Sequence, residues 1–145
     1  MLKYRILHPQ LLGALGRCGH GSHILIADSN YPHLTGASPA AERVYLNLAP
    51  SLVGATDVLK ALLDAGPVET ADIMLAPEGQ EAPVVAEYGA LLPPGVDAKG
   101  PPRIEYYDEV NHSNTALAIA TGEQRQYANL LLAVGVITAQ GEVLY

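Results

Sequence analysis

The stretch Ile24-Leu25-Ile26-Ala27-Asp28-Ser29-Asn30 decides how the rest of the chain is read. Four consecutive apolar residues, two of them β-branched, do not alternate between a wet and a dry face, so both faces of this strand must be covered. Asp28-Ser29-Asn30 then ends the run with short polar side chains that bond their own backbone and favour a turn. A strand buried on both sides belongs to a sheet flanked by helices.

The neighbouring segments agree. Upstream, Leu11, Leu12, Leu15 and Cys18 recur at helical spacing, with Pro9 in the first turn and Gly19 as the stop. Downstream, 44–48 alternates as a strand, and Ala55, Val58, Leu59, Leu62 and Leu63 share one helical face closed by Gly66-Pro67. Residues 71–76 read as a third strand and 82–88 as a helix. The segment 92–102, with four prolines and two glycines, reads as a surface loop. Residues 103–107 and 115–120 look extended, with a short helix about 108–113, and 130–137 is a last, fully apolar strand. Strands alternating with helices over 1–145 predict one α/β domain with a mostly parallel, layered sheet.

Composition narrows the function. Phe and Trp are absent, so the eight Tyr carry all the aromatic content and the core must be aliphatic. With a net charge of -7 and only eight Lys and Arg, the chain has no basic patch for a phosphate backbone or an anionic membrane. Nucleic acid and membrane are therefore not expected partners. One cysteine excludes an intrachain disulfide and suits a reducing compartment. No apolar run reaches the roughly 18 residues of a membrane span. His8, Pro9 and Gln10 interrupt the apolar N-terminal stretch and Arg17 precedes Cys18, against a signal peptide. A cytoplasmic protein is expected.

Two segments concentrate chemistry. In Gly19-His20-Gly21-Ser22-His23, glycines on either side leave the His20 imidazole unshielded, and histidine is the usual general acid/base near neutral pH. The plainer reading is a turn residue bonded to backbone. Asp28, one short strand away, can orient an imidazole or accept from a hydroxyl. His20, His23 and Asp28, with Cys18 upstream, also have superficial metal-ligand chemistry, but a Gly-x-Gly loop offers no fixed ligand face, and no metal is expected. The glycines do not follow a strand and open a helix, so the dinucleotide fingerprint is not met, and no cofactor is expected. In the second segment, 121–129, Tyr127 and Asn129 lie one residue apart; in extended backbone they point the same way and form a hydrogen-bonding edge for hydroxyls.

Gly19-His20-Gly21 with 24–32, and Thr121-Gly122-Glu123 with 127–136, together resemble the ribose pyranase and fucose mutarotase family of small sugar-transport accessory enzymes. The resemblance runs through nearly the whole chain, more loosely at Leu48-Ala49-Pro50-Ser51. It implies a three-layer α/β sandwich, a ring-shaped oligomer, typically a decamer, and an isomerase that interconverts cyclic forms of a free monosaccharide without a cofactor. It implies His20 as the acid/base group assisted by Tyr127, with Asp28 and Asn129 binding the sugar. It further implies a site between subunits, His20 and Asp28 from one and the Tyr-x-Asn segment from its neighbour. The family places a basic residue or histidine before the Thr-Gly-Glu turn; Arg103 and His112 are the candidates here. The forms Gly-His-Gly and Asn30-Tyr31-Pro32 lean toward the fucose branch. The competing readings are a non-catalytic sugar-binding module of the same fold and a metal-dependent isomerase.

Overall fold

Strand β1 (His23–Ala27) lies inside a six-stranded sheet, flanked by β5 (Thr115–Ala120) and β6 (Leu130–Val134). Strand β2 (Glu42–Tyr45) forms one edge beyond β5; β3 (Val68–Ile73) and the two-residue β4 (Ala98–Lys99) lie beyond β6. The computed structural model describes residues 2, 3, 5–78, 80 and 82–144. Ile24, Leu25, Ile26 and Ala27 are all buried, as an apolar run between two neighbours requires. Strands β2, β5 and β1 are parallel to one another, β3 and β4 likewise, and β6 runs against both β1 and β3. The sheet is mostly parallel with one reversed strand.

Alternation along the strands divides the core. Ile24 and Ile26 join Leu117, Ile119, Leu130 and Leu132 in one apolar cluster beneath α1 (Pro9–Leu15), α2 (Ala55–Ala65) and α3 (Val84–Leu91). Leu25, Ala27, Ala118 and Leu131 point the other way, onto Tyr106 and Val110 of α4 (Arg103–Val110). Helices thus cover both faces, giving three layers. Each fully buried Leu or Ile, such as Leu59 or Ile119, contributes about 1.5–3 kcal/mol. His8 acts locally: its Nδ1 accepts from the Leu11 N–H (3.2 Å) and caps α1.

Three expectations are corrected. Residues 103–107 are helical, not extended. Ile104 and Tyr106 alternate as in a strand, yet Ile104 is 71% exposed, while Tyr106 and Val110, one helical turn apart, are fully buried. That pair packing on the sheet outweighs the weak strand preference of Ile and Tyr. The last apolar run breaks at Gly135, whose N–H donates to the Pro67 carbonyl (3.0 Å). Beyond it β7 (Val136–Ile137) pairs with β8 (Val143–Leu144) in a separate two-stranded sheet. The loop 92–102 contains β4, which adds an edge to β3. Among the described residues no helix is long and apolar enough to cross a membrane.

Candidate functional site

Parallel strands deliver their C-terminal ends to one side of the sheet, and a reversed strand delivers its N-terminal end there. At that side β1 runs into Asp28, β3 into Met74, and β6 is entered through Tyr127 and Asn129. Helix α4 adds Arg103 and Tyr107, four residues apart and so on one face. These residues, with Asn30, Tyr31 and Gln126, line a cavity of about 210 Å³. An open groove of about 620 Å³ adjoins it, sharing Arg103 and Tyr127 and lined further by Leu75, Pro77 and Ile104.

Asp28 is the best-held group in this cavity. Its N–H donates to Asn129 Oδ1 (2.9 Å), and Asn129 Nδ2 donates back to Asp28 Oδ2 (3.0 Å). The Asn30 N–H donates to Asp28 Oδ1 (2.9 Å). Both side chains are buried, at 3% exposure each. Burial pushes the Asp28 carboxyl above its ordinary value, against the Asn30 and Ala128 N–H groups and the Asn129 amide, which favour the charged form. These donors anchor the Asp28 carboxyl where it lines the cavity.

The turn at 121–123 buttresses this end. The Thr121 N–H and Oγ1 both donate to the Ala27 carbonyl (3.0 and 2.8 Å), and the Ser29 N–H donates to the Glu123 carbonyl (2.7 Å). A Cβ at Gly122 would lie 2.2 Å from the Leu52 carbonyl oxygen, so only glycine fits. Glu123 is 6% exposed and accepts from Arg125 Nε (3.0 Å) and Nη2 (2.8 Å), which holds its carboxyl below the ordinary value. Glu123 is therefore structural.

Tyr127 departs from the expected geometry. Its φ is +59°, left-handed rather than extended, a conformation that costs a non-glycine residue about 1–3 kcal/mol. The next carbonyl, of Ala128, accepts from the Tyr88 hydroxyl (2.7 Å) and pins the turn from the α3 side. Tyr127 and Asn129 do reach the same cavity, but through a strained turn and not through strand alternation.

His20 lies elsewhere. It precedes β1 whereas Asp28 follows it, and five strand residues span about 16 Å at ~3.3 Å each. Gly21 makes the turn into β1 at φ +75°, its N–H on the Val134 carbonyl (2.9 Å), a conformation that favours glycine. The His20 side chain is 61% exposed, and its Nε2 lies 3.0 Å from Glu69 Oε2, at the start of β3. His112 sits at this same end: its Nδ1 accepts from the Asn114 N–H (3.4 Å), and the Asn114 carbonyl accepts from the His23 N–H (2.8 Å). Of the two basic candidates, only Arg103 lines the cavity.

The division between subunits is corrected accordingly. One chain brings Asp28, Tyr127 and Asn129 together, bonded in the case of Asp28 and Asn129, and it is His20 that stands apart. The metal reading divides along the same line, with His20 and Asp28 at opposite ends of β1. Among the described residues no group of three or more His, Cys, Asp or Glu could hold a metal ion. A second cavity of about 180 Å³, between α1, α2 and the sheet, is lined by Leu15, Cys18, Leu62, Val68 and Leu132 and offers almost nothing to orient a polyol. Sequence reading missed Met74, Tyr107 and Gln126. The i, i+4 spacing of Arg103 and Tyr107 was the available signal, hidden by taking that segment as a strand.

A family model described as the RbsD / FucU transport protein family matches residues 1–137. The chain is 32% identical to the fucose mutarotase of Homo sapiens over 91% of its length and 90% of the relative's. It is 34% identical to the D-ribose pyranase of Streptomyces avermitilis, covering 94% of this chain and 98% of that one. Bacillus subtilis RbsD complexed with D-ribose superposes with a TM-score of 0.78 at 25% identity, over 95% of this chain and 100% of that one.

Proposed function

The chain belongs to the RbsD / FucU transport protein family, and from that premise we propose that it is a sugar mutarotase acting on a free monosaccharide, with L-fucose as the preferred substrate. It is an isomerase: the ring C1–O5 bond opens and recloses, and no atom is gained or lost. The anomeric hydroxyl gives up a proton as its oxygen becomes the aldehyde oxygen, and the ring oxygen takes one up. Rotation about C1–C2 and the reverse transfers return the other ring form. Positioned proton transfer of this kind is worth roughly 10²–10⁴-fold.

The observation that carries the proposal is the cavity itself, where buried Asp28 and Asn129, half-buried Tyr127 and exposed Arg103 converge on a space of about 210 Å³. Asp28 fixes the sugar by accepting from its hydroxyls, Arg103 donates to ring or hydroxyl oxygens, and Tyr127 serves as proton partner at the anomeric end. His20 supplies the acid/base imidazole from a second copy of the chain, because β1, about 16 Å long, stands between it and its own Asp28. The working form is thus a closed ring of copies, each cavity completed by a neighbour's His20. The unpaired Cys18 suits a reducing compartment, and a cytoplasmic location is part of the proposal.

Saturation-transfer NMR of L-fucose anomers tests this. The parent protein is expected to accelerate exchange, while His20→Ala and Asp28→Asn, each assembled alone, do not. Dissociating and reassembling the two variants together regenerates cavities with both groups intact, and exchange returns. Failure of the mixture, with both variants assembling normally, would overturn the shared site. A parent that binds the sugar without speeding exchange would favour the non-catalytic module.

A further inference from the structure

The cavity is mixed in character. Asp28, Asn30, Gln126, Asn129 and Arg103 bring polar groups to its lining, while Met74 and the ring of Tyr107 bring apolar surface. Met74 follows β3 directly, is 3% exposed, and sits in the core cluster with Tyr31, Tyr106, Val110 and Leu131. Its side chain is a thioether, which offers a hydroxyl no useful hydrogen bond. Tyr107 is backed by the Tyr31 ring at 5.3 Å between centroids and 30° between planes, which fixes its position from behind. The Tyr31 hydroxyl donates to the Gly36 carbonyl (2.5 Å) and so does not serve the cavity.

A sugar carrying oxygen on every carbon must press one hydroxyl against this apolar surface and leave it unpaired, which costs free energy. A sugar with one deoxygenated carbon does not. The relatives include enzymes named for a 6-deoxy sugar and for a pentose, which differ in having or lacking such a carbon. We infer that Met74 and Tyr107 are the specificity-determining residues of this site, receiving the C6 methyl of a 6-deoxyhexopyranose while Asp28 and its polar neighbours hold the ring hydroxyls. This rests on the mutarotase reading of the cavity.

Three sugars isolate the effect, because L-fucose, L-galactose and D-arabinose share one pyranose configuration and differ only in carrying CH₃, CH₂OH or H at C5. Exchange kinetics of the parent protein are expected to favour L-fucose over each of the others by roughly 10-fold or more in kcat/KM, the size of a one-carbon discrimination in an apolar pocket. Met74→Gln, unbranched and of similar length but polar, reduces the L-fucose to L-galactose ratio several-fold; Met74→Leu retains the order of the three sugars. Tyr107→Leu on the helix surface is the second variant, and it weakens saturation transfer from protein to the C6 methyl protons. Equal exchange of all three sugars by the parent overturns the inference while leaving the mutarotase reading intact. So does an unchanged L-fucose to L-galactose ratio in a folded Met74→Gln. Absence of exchange with every sugar overturns both.

Discussion

The two ends of β1 are built differently. At its C-terminal end Asp28 and Asn129 are buried and bonded to each other, the entering turn is pinned by Tyr88, and a glycine at 122 is sterically required. At its N-terminal end His20 stands 61% exposed on a loop, touched by one carboxylate. The first end is organised by folding, and the second is an exposed loop. Under the proposal that a neighbour's His20 completes the cavity, binding geometry is a property of the protomer and proton transfer a property of the assembly.

The sharpest way to break this contrast is to delete one side chain at each end and compare activity with stability. His20→Ala should reduce catalysed L-fucose exchange about 10²–10⁴-fold and leave the urea-unfolding midpoint nearly unchanged, because the ring is mostly exposed. Asn129→Ala should do the reverse in emphasis. It strips partners from both the Asp28 N–H and the Asp28 carboxylate, each buried, and should destabilise the fold by about 2–4 kcal/mol in urea titration. If His20→Ala unfolds as easily as Asn129→Ala, or exchanges sugar as fast as the parent, the two ends are not distinct in the way drawn.

Part of the first end was legible in the sequence, and part was not. The run 24–27 followed by Asp28-Ser29-Asn30 could only be a doubly covered strand entering a turn, and that placed Asp28 at a strand end. Because β1 lies between His20 and Asp28, chain length alone separates the two by the length of the strand. The pairing of Asp28 with Asn129, by contrast, depends on β6 lying antiparallel beside β1 with Ile26 opposite Leu130, a long-range register with no local signature. Nor does Tyr127 advertise its left-handed backbone, since the conformation is imposed by Tyr88 and the buried Ala128 and not by local preference. Arg103 and Tyr107 were misread because two aliphatic and aromatic residues alternate over a segment whose fate was settled by Tyr106 and Val110 packing onto the sheet.

The buried carboxyl sharpens the comparison through pH. Burial raises the Asp28 pKa, so the folded state favours its protonated form. A raised carboxyl contributes most to stability below the unfolded-state value of about 3.8, and that contribution is lost as pH rises through the folded value. The stability of the parent relative to Asp28→Asn should therefore fall with rising pH over this acid window and level off above it. Parallel curves for the two proteins across the window would show that Asp28 is not held against its charge. His20→Ala removes no buried carboxyl and should follow the parent's acid limb.

The smallest expected effect is at Glu69, whose carboxylate bonds His20. An exposed ion pair contributes only about 0–1 kcal/mol, so Glu69→Gln should barely move the unfolding midpoint. Its consequence is orientation: a carboxylate accepting from Nε2–H leaves Nδ1 as the nitrogen able to take a proton, and it holds the ring as the loop enters β1. Glu69→Gln should lower kcat for exchange several-fold with KM little changed, since the residues proposed to bind the sugar lie at the far end of the strand; Glu69→Asp should recover part of the loss. A rise in KM with kcat unaltered would instead place Glu69 among the groups that touch the sugar, and the exposed end of β1 would then bind as well as react.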